Sequence, residues 1–211
     1  VFFQGLWHIF YPMGGSGMMF DFVDDCARFG LEGTELTSYY FPQEVTPEYL
    51  RKLKHHCFLL GLDVSGTAVG NDFGFPKDDP KRQMQLDHVK SWVNHAEMLG
   101  APVIRIIAGH AKPNQTPEES HALMVEGMQQ SCDYAGTHGV HLALENHGGP
   151  TGTAEGLLAL VKLFVNVKWI VGSDLNAFSV QSNISIFQKC ACRWVSDIFC
   201  HYFFNSHEKS E

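Results

Sequence analysis

Short apolar runs recur along this chain at intervals of roughly 30 to 40 residues, and a segment with helical punctuation separates each run from the next. That alternation constrains the fold more than any other feature. A strand that returns only after a helix cannot make a hairpin with its predecessor, so the two must lie parallel and the helix must cross over one face of the sheet.

The boundaries follow local chemistry. Val1 to Phe10 reads as a first strand, followed by the loop-like stretch Met13 to Gly17. Asp21 is placed as a helix N-cap, with Phe22, Cys26 and Phe29 on one helical face and Gly30 as the stop. Leu31 to Leu36 is a strand ending near Glu35. Thr46 and Pro47 open a helix through Leu50, Leu53 and Cys57 to Gly61, and Leu62 to Val69 is the next strand, with Asn71 and Asp72 in the loop beyond it. Asp79 and Pro80 open a long helix whose apolar face takes in Met84, Val89, Val93 and Ala96, ending at Gly100. Pro102 to Ile107 is a strand with Arg105 inside it and His110 just after. Thr116 and Glu119 form a capping box for a helix reaching Gly139. The strand from Val140 to Glu145, a helix from Thr153 to Phe164 and a strand ending at Asp174 complete the series.

Right-handed crossovers wound one way curl such a series into a (β/α) TIM-type barrel. A doubly wound open sheet ranks lower, because no Gly-x-Gly-x-x-Gly turn follows an early strand. A full barrel needs eight strands in about 250 residues, and the cyclic pattern stops near Val180. The expectation is therefore an incomplete barrel of about six βα units over residues 1–180, with 181–211 a divergent tail. The chain begins with Val rather than Met, as a piece of a longer protein would.

Polar residues gather where the strands end: Glu35, Asn71, His110, Glu145 and Asp174. In a barrel of this kind those ends form the face that carries the chemistry. The stretch Val140 to Gly149 is the most pointed example, an apolar run that stops abruptly in Glu145, Asn146 and His147 before two glycines. Lys168 to Asp174 stops the same way, in a carboxylate. Neighbouring parallel strands that each deliver an acid to one rim form the start of a divalent metal site.

The bulk numbers exclude some functions. A formal net charge of -8 argues against sequence-independent nucleic-acid binding, which needs a basic face. No apolar run approaches the roughly 20 residues of a membrane span. The N-terminal segment lacks the basic region and cleavage site of a signal peptide. The 6 cysteines are scattered, as in a reducing compartment rather than a disulfide framework, so a cytoplasmic location is expected. Cys190, Cys192, Cys200 and His201 fit no ordinary paired zinc-knuckle spacing and are read as packed or incidental. Neither a Gly-x-Ser-x-Gly elbow nor a P-loop is present.

Asp21 to Leu36, Val103 to Gly109, Leu142 to Gly149 and Gly172 to Asp174, in that order, resemble the xylose isomerase-like TIM-barrel superfamily of sugar phosphate isomerases and epimerases. The resemblance runs from about Met18 to Phe178. It implies that Glu145, ending the fifth strand, and Asp174, ending the sixth, bind a divalent cation. The family's further histidine and second glutamate have no counterpart here, and Ala177 stands where a polar residue follows the sixth-strand aspartate. The implied reaction is isomerisation or epimerisation of a sugar or sugar phosphate, by proton transfer beside a carbonyl through an enediolate. Hard oxygen ligands suit Mg²⁺ or Mn²⁺, and added imidazole suits Mn²⁺, Co²⁺ or Zn²⁺.

Each residue also has a plainer reading. Glu145, the candidate base and metal ligand, could instead pair with a barrel arginine such as Arg105; Asp174 could be a turn or cap aspartate. His147, two residues beyond Glu145, is a candidate substrate contact or an ordinary loop histidine. Glu35 and Arg105 bind substrate hydroxyls or pair with opposite charges nearby, and Asn71 and His110 bind substrate or are simple loop polarity. His55, His56, His88 and His95 are expected on solvated helix faces. Two rival functions stand beside the isomerase: a barrel fragment without turnover, whose uncovered sheet edge would favour self-association, and an abasic-site endonuclease, against which the acidic charge tells. A homo-oligomer is compatible with either barrel reading.

Overall fold

In the computed structural model, which describes residues 2–3, 18–162 and 170–172, every strand after the first pairs in parallel with the strand preceding it in the chain. The elements are β1 (Phe2–Phe3), α1 (Met18–Arg28), β2 (Gly33–Thr37), α2 (Pro47–Leu59) and β3 (Asp63–Ala68). They continue as α3 (Pro80–Leu99), β4 (Val103–Ile106), α4 (Pro117–Thr137), β5 (His141–Glu145), α5 (Ala154–Lys162) and β6 (Ile170–Gly172). The 6-stranded sheet runs β1-β2-β3-β4-β5-β6 without a reversal of order. A doubly wound sheet would reverse at a switch point, so the order is that of an open arc of a TIM-type barrel.

The helices start where side chains can take up their first free N–H groups. Thr46 Oγ1 accepts from the Tyr49 N–H at 3.2 Å, and Asp79 accepts from the Lys81 N–H at 2.8 Å. At α4 the capping box is complete: Glu119 N–H donates to Thr116 Oγ1 at 3.2 Å, and Thr116 N–H donates to Glu119 Oε2 at 2.8 Å. Gly100 ends α3 with φ +81°, a left-handed turn that costs glycine little.

Register sorts the side chains into two faces. Leu36, Thr67, Ile104 and Leu142 are aligned across neighbouring strands and face the helices. There Trp92 of α3 donates to Thr67 Oγ1 at 3.1 Å, and the aligned side chains join the core made by Phe22, Leu50, Val93 and Met128. Ala68, Arg105 and Ala143 share the other face, the inner one. A register shift between Thr34 and Glu35 sets Glu35 beside Gly66 on that inner face.

Several boundaries differ from the sequence expectation. The helix α1 begins at Met18, so Asp21 lies in its first turn rather than at the cap; a carboxylate suits that position equally well through the helix dipole. Phe29 falls just past the helix and is 60% exposed. Met84 is 66% exposed, because the buried stripe of α3 follows Arg82, Leu86, Val89, Trp92 and Val93. Glu35 sits in the middle of β2 rather than at its end. His56 is not simply solvated: its ring lies 2.7 Å from Asp24 Oδ1 and joins α2 to α1. The region 181–211, with its cysteines, lies outside the described residues.

Candidate active site

Three inner-face side chains from three strands meet. Arg105 on β4 donates from Nε to Glu35 Oε1 of β2 at 3.3 Å, and from Nη1 to Glu145 Oε2 of β5 through a short hydrogen bond. Small neighbours open the space for this bridge. Arg105 is flanked in register by Ala68 and Ala143, and β3 has Gly66 beside Glu35. A Cβ on Gly66 would lie 2.9 Å from Val103 Cγ1, so glycine lets β3 lie close against β4 there.

Burial decides the electrostatics of the trio. Burial raises the Glu35 carboxyl from 4.5 to about 7; the Arg105 guanidinium pulls against that rise, and the Glu145 charge adds to it. Burial alone would lower the Arg105 pKa, but the two carboxylates outweigh it and hold the guanidinium charged. Glu145 is the more open of the two acids, its side chain 21% exposed against 12% for Glu35. His147 reaches back over it, with Nδ1 3.4 Å from Glu145 Oε2, while its own backbone N–H is fixed by Thr151 Oγ1 at 3.0 Å. Glu35, Arg105, Glu145 and His147 are thus brought together.

Asn71 and His110 belong to the rim instead. The Asn71 amide bridges the backbone just past β4, donating to Ile107 O at 2.7 Å and accepting from Ile107 N–H at 3.0 Å. Asp72, placed by the sequence simply in the loop after β3, holds the rim further. Its Oδ1 accepts from Gly74 N–H at 2.8 Å and His110 N–H at 3.2 Å, and Oδ2 takes the Lys112 ammonium. The fit is close at Gly74, where a Cβ would fall 2.0 Å from His110 O. The exposed His110 ring in turn abuts Gly149 of the loop after β5. Arg82 was also missed: it is 7% exposed and donates to the carbonyls of Phe73, Phe75 and Leu123, tying the β3–α3 loop to α4. The Asn-Asp pair directly after a strand was a usable signal for Asp72; Arg82, inside a polar helix turn, carried none. A surface cavity of about 560 Å³ lined by Glu118, His121 and Val125 of α4 shares no residue with the cluster.

Glu145 offers hard oxygens at a strand end, and its partner across the β5–β6 pair is Gly172, which has no side chain to obstruct that flank. That donor fits one ligand of a divalent cation. Among the described residues no group of three His, Cys, Asp or Glu side chains converges as a complete set. Asp174, the other expected ligand, lies outside the described residues.

Comparison with known proteins bears on the fold. The family model described as xylose isomerase-like TIM barrel matches residues 23–171. A D-psicose 3-epimerase from Clostridium cellulolyticum H10, solved with D-tagatose, is 17% identical with a TM-score of 0.63, over 77% of this chain and 61% of its own. A xylose isomerase-like TIM barrel protein from Mycobacterium smegmatis, in complex with magnesium, is 17% identical with a TM-score of 0.60, over 77% and 57%. A D-allulose 3-epimerase from Methylomonas sp. is 16% identical with a TM-score of 0.61, over 75% and 57%. At such identities the likeness concerns the fold, and the chain spans little more than half the length of these structures. No curated protein matches the chain. With a family model covering most of its length and a parallel sheet in barrel order, the chain belongs to the xylose isomerase-like TIM barrel family.

Proposed function

We propose that this chain carries the working rim of a divalent-metal-dependent sugar isomerase or epimerase, with Glu145 as both ligand and base. The observation that supports this best is the placement of Glu145. It is a partly open carboxylate at the end of β5, oriented by Arg105 on one side and approached by His147 on the other. The folds around it include epimerases solved with keto sugars.

In this reading a cation held by Glu145 and Asp174 supplies positive charge to the substrate's oxygens, favouring loss of the neighbouring carbon-bound proton. Mn²⁺ and Mg²⁺ suit the carboxylates; Co²⁺ or Zn²⁺ would suit an added imidazole. Glu145 takes the proton on a carboxylate oxygen and returns it on the same face to the neighbouring carbon, which is isomerisation; epimerisation needs a second acid to deliver a proton from the opposite face. Arg105 aims that carboxylate through the Nη1 hydrogen bond. His147, exposed beside it, is placed to bond a substrate hydroxyl, and His110 guards the adjacent rim. Glu35 and Arg105 line the floor on which a small sugar or sugar phosphate would rest. Asn71 contributes by fixing the strand end rather than through a free amide. A cytoplasmic setting accords with the free, buried thiols of Cys26, Cys57 and Cys132.

The test is solvent exchange. Incubated with Mn²⁺ and D-fructose or D-tagatose in D₂O, the protein should incorporate deuterium at a carbon next to the carbonyl, read by NMR. Glu145→Gln should slow that incorporation by roughly a hundredfold or more. No exchange with any keto sugar or its phosphate would defeat the assignment. It would favour the second reading, a barrel portion without turnover.

A further inference from the structure

Glu145 has a resident partner. The same Oε2 that faces His147 also accepts from Arg105 Nη1, while Arg105 Nε stays on Glu35. The guanidinium is therefore shared between an open carboxylate and a buried one, through different nitrogens. The inner-face neighbours in register with Arg105 are Ala68 and Ala143, so only small side chains flank it on β3 and β5.

A cation approaching Glu145 meets this positive charge at contact distance. Two cations on one carboxylate oxygen repel strongly where water is partly excluded, and a guanidinium that leaves one carboxylate stays compensated if another already holds it. We propose that Arg105 is a counter-ion that a divalent cation must displace from Glu145, and that Glu35 is the anchor that retains Arg105 when it does. This rests on the metal-dependent reading given above. It assigns Arg105 and Glu35 a positioning role that tunes cation affinity, separate from any contact with sugar.

The signs of three variants separate this role from simple scaffolding. Mn²⁺ binding to the full chain is measured by calorimetry at pH 8, where Glu35 is ionised, with folding checked by circular dichroism. Arg105→Met removes the competitor and should tighten Mn²⁺ binding by roughly tenfold. Glu35→Gln releases Arg105 wholly to Glu145 and should weaken binding several-fold. In the Arg105→Met/Glu35→Gln double variant the Glu35 effect should shrink markedly, because Glu35 acts mainly through Arg105.

Binding by Arg105→Met that is unchanged or weaker overturns the proposal and leaves the metal reading intact. An equal Glu35→Gln effect with and without Arg105 also overturns it, since that would be a direct field of the carboxylate. If Arg105→Met does not fold, Glu35→Gln alone decides: unchanged or tighter binding counts against the proposal. Absence of Mn²⁺ binding in the wild type and in all variants removes the metal reading and this inference together.

Discussion

Glu35 shows how much a single residue's surroundings can change its chemistry. In sequence it is one of two acids between Leu31 and Leu36; in the fold it is 9% exposed, and burial lifts its carboxyl to about 7. A carboxyl whose folded pKa lies above its unfolded one holds a proton that the unfolded chain has already released. Between pH 4.5 and about 7, therefore, its contribution to stability falls as pH rises. Glu35→Gln removes that dependence, so thermal melts should show the variant gaining on the wild type from pH 5 to pH 8. A constant difference across that range would show that Glu35 does not titrate there. Sequence reading placed Glu35, Arg105 and Glu145 as separate candidates and offered ion pairing as the plainer alternative for each. The fold forms that pairing, and it is the pairing that orients Glu145.

At the scale of elements, local signals carried the helices and long-range contacts carried the loops. The caps at Thr46, Asp79 and Thr116 lay where the residue types said they would, because a cap is satisfied within three residues of itself. Thr116→Ala should cost about 1 kcal/mol, measured by urea unfolding. Arg82→Met should be far worse, on the order of 3 kcal/mol, since it strips partners from backbone carbonyls of the β3–α3 loop and α4 at once. Met84 shows the converse. Its type fits the apolar stripe, yet the stripe turns past it and takes in Arg82, whose guanidinium is held by the carbonyls of Phe73, Phe75 and Leu123 and by the Glu126 carboxylate.

For the molecule as a whole, the core between sheet and helices holds its thiols as apolar groups. Burial raises Cys26 to about 11 and Cys57 and Cys132 to about 12. Alkylation at pH 8 followed by peptide mapping should leave these three unlabelled until the chain is denatured; early labelling of any of them would mean that the α1–α2 or α4 packing opens locally. The sequence by itself determined the alternation of strands and helices, their parallel order and the acid at the end of β5. These depend on hydrophobic period, caps and turn residues, all of which act over a few neighbours. Only the tertiary structure decided that side chains 70 and 40 residues apart share one guanidinium. It also decided that the Asn71 amide serves the backbone of the neighbouring strand. The reason is register: shifting a strand by one residue sends every side chain to the opposite face, and register is chosen by the packing of the whole sheet rather than by any one strand.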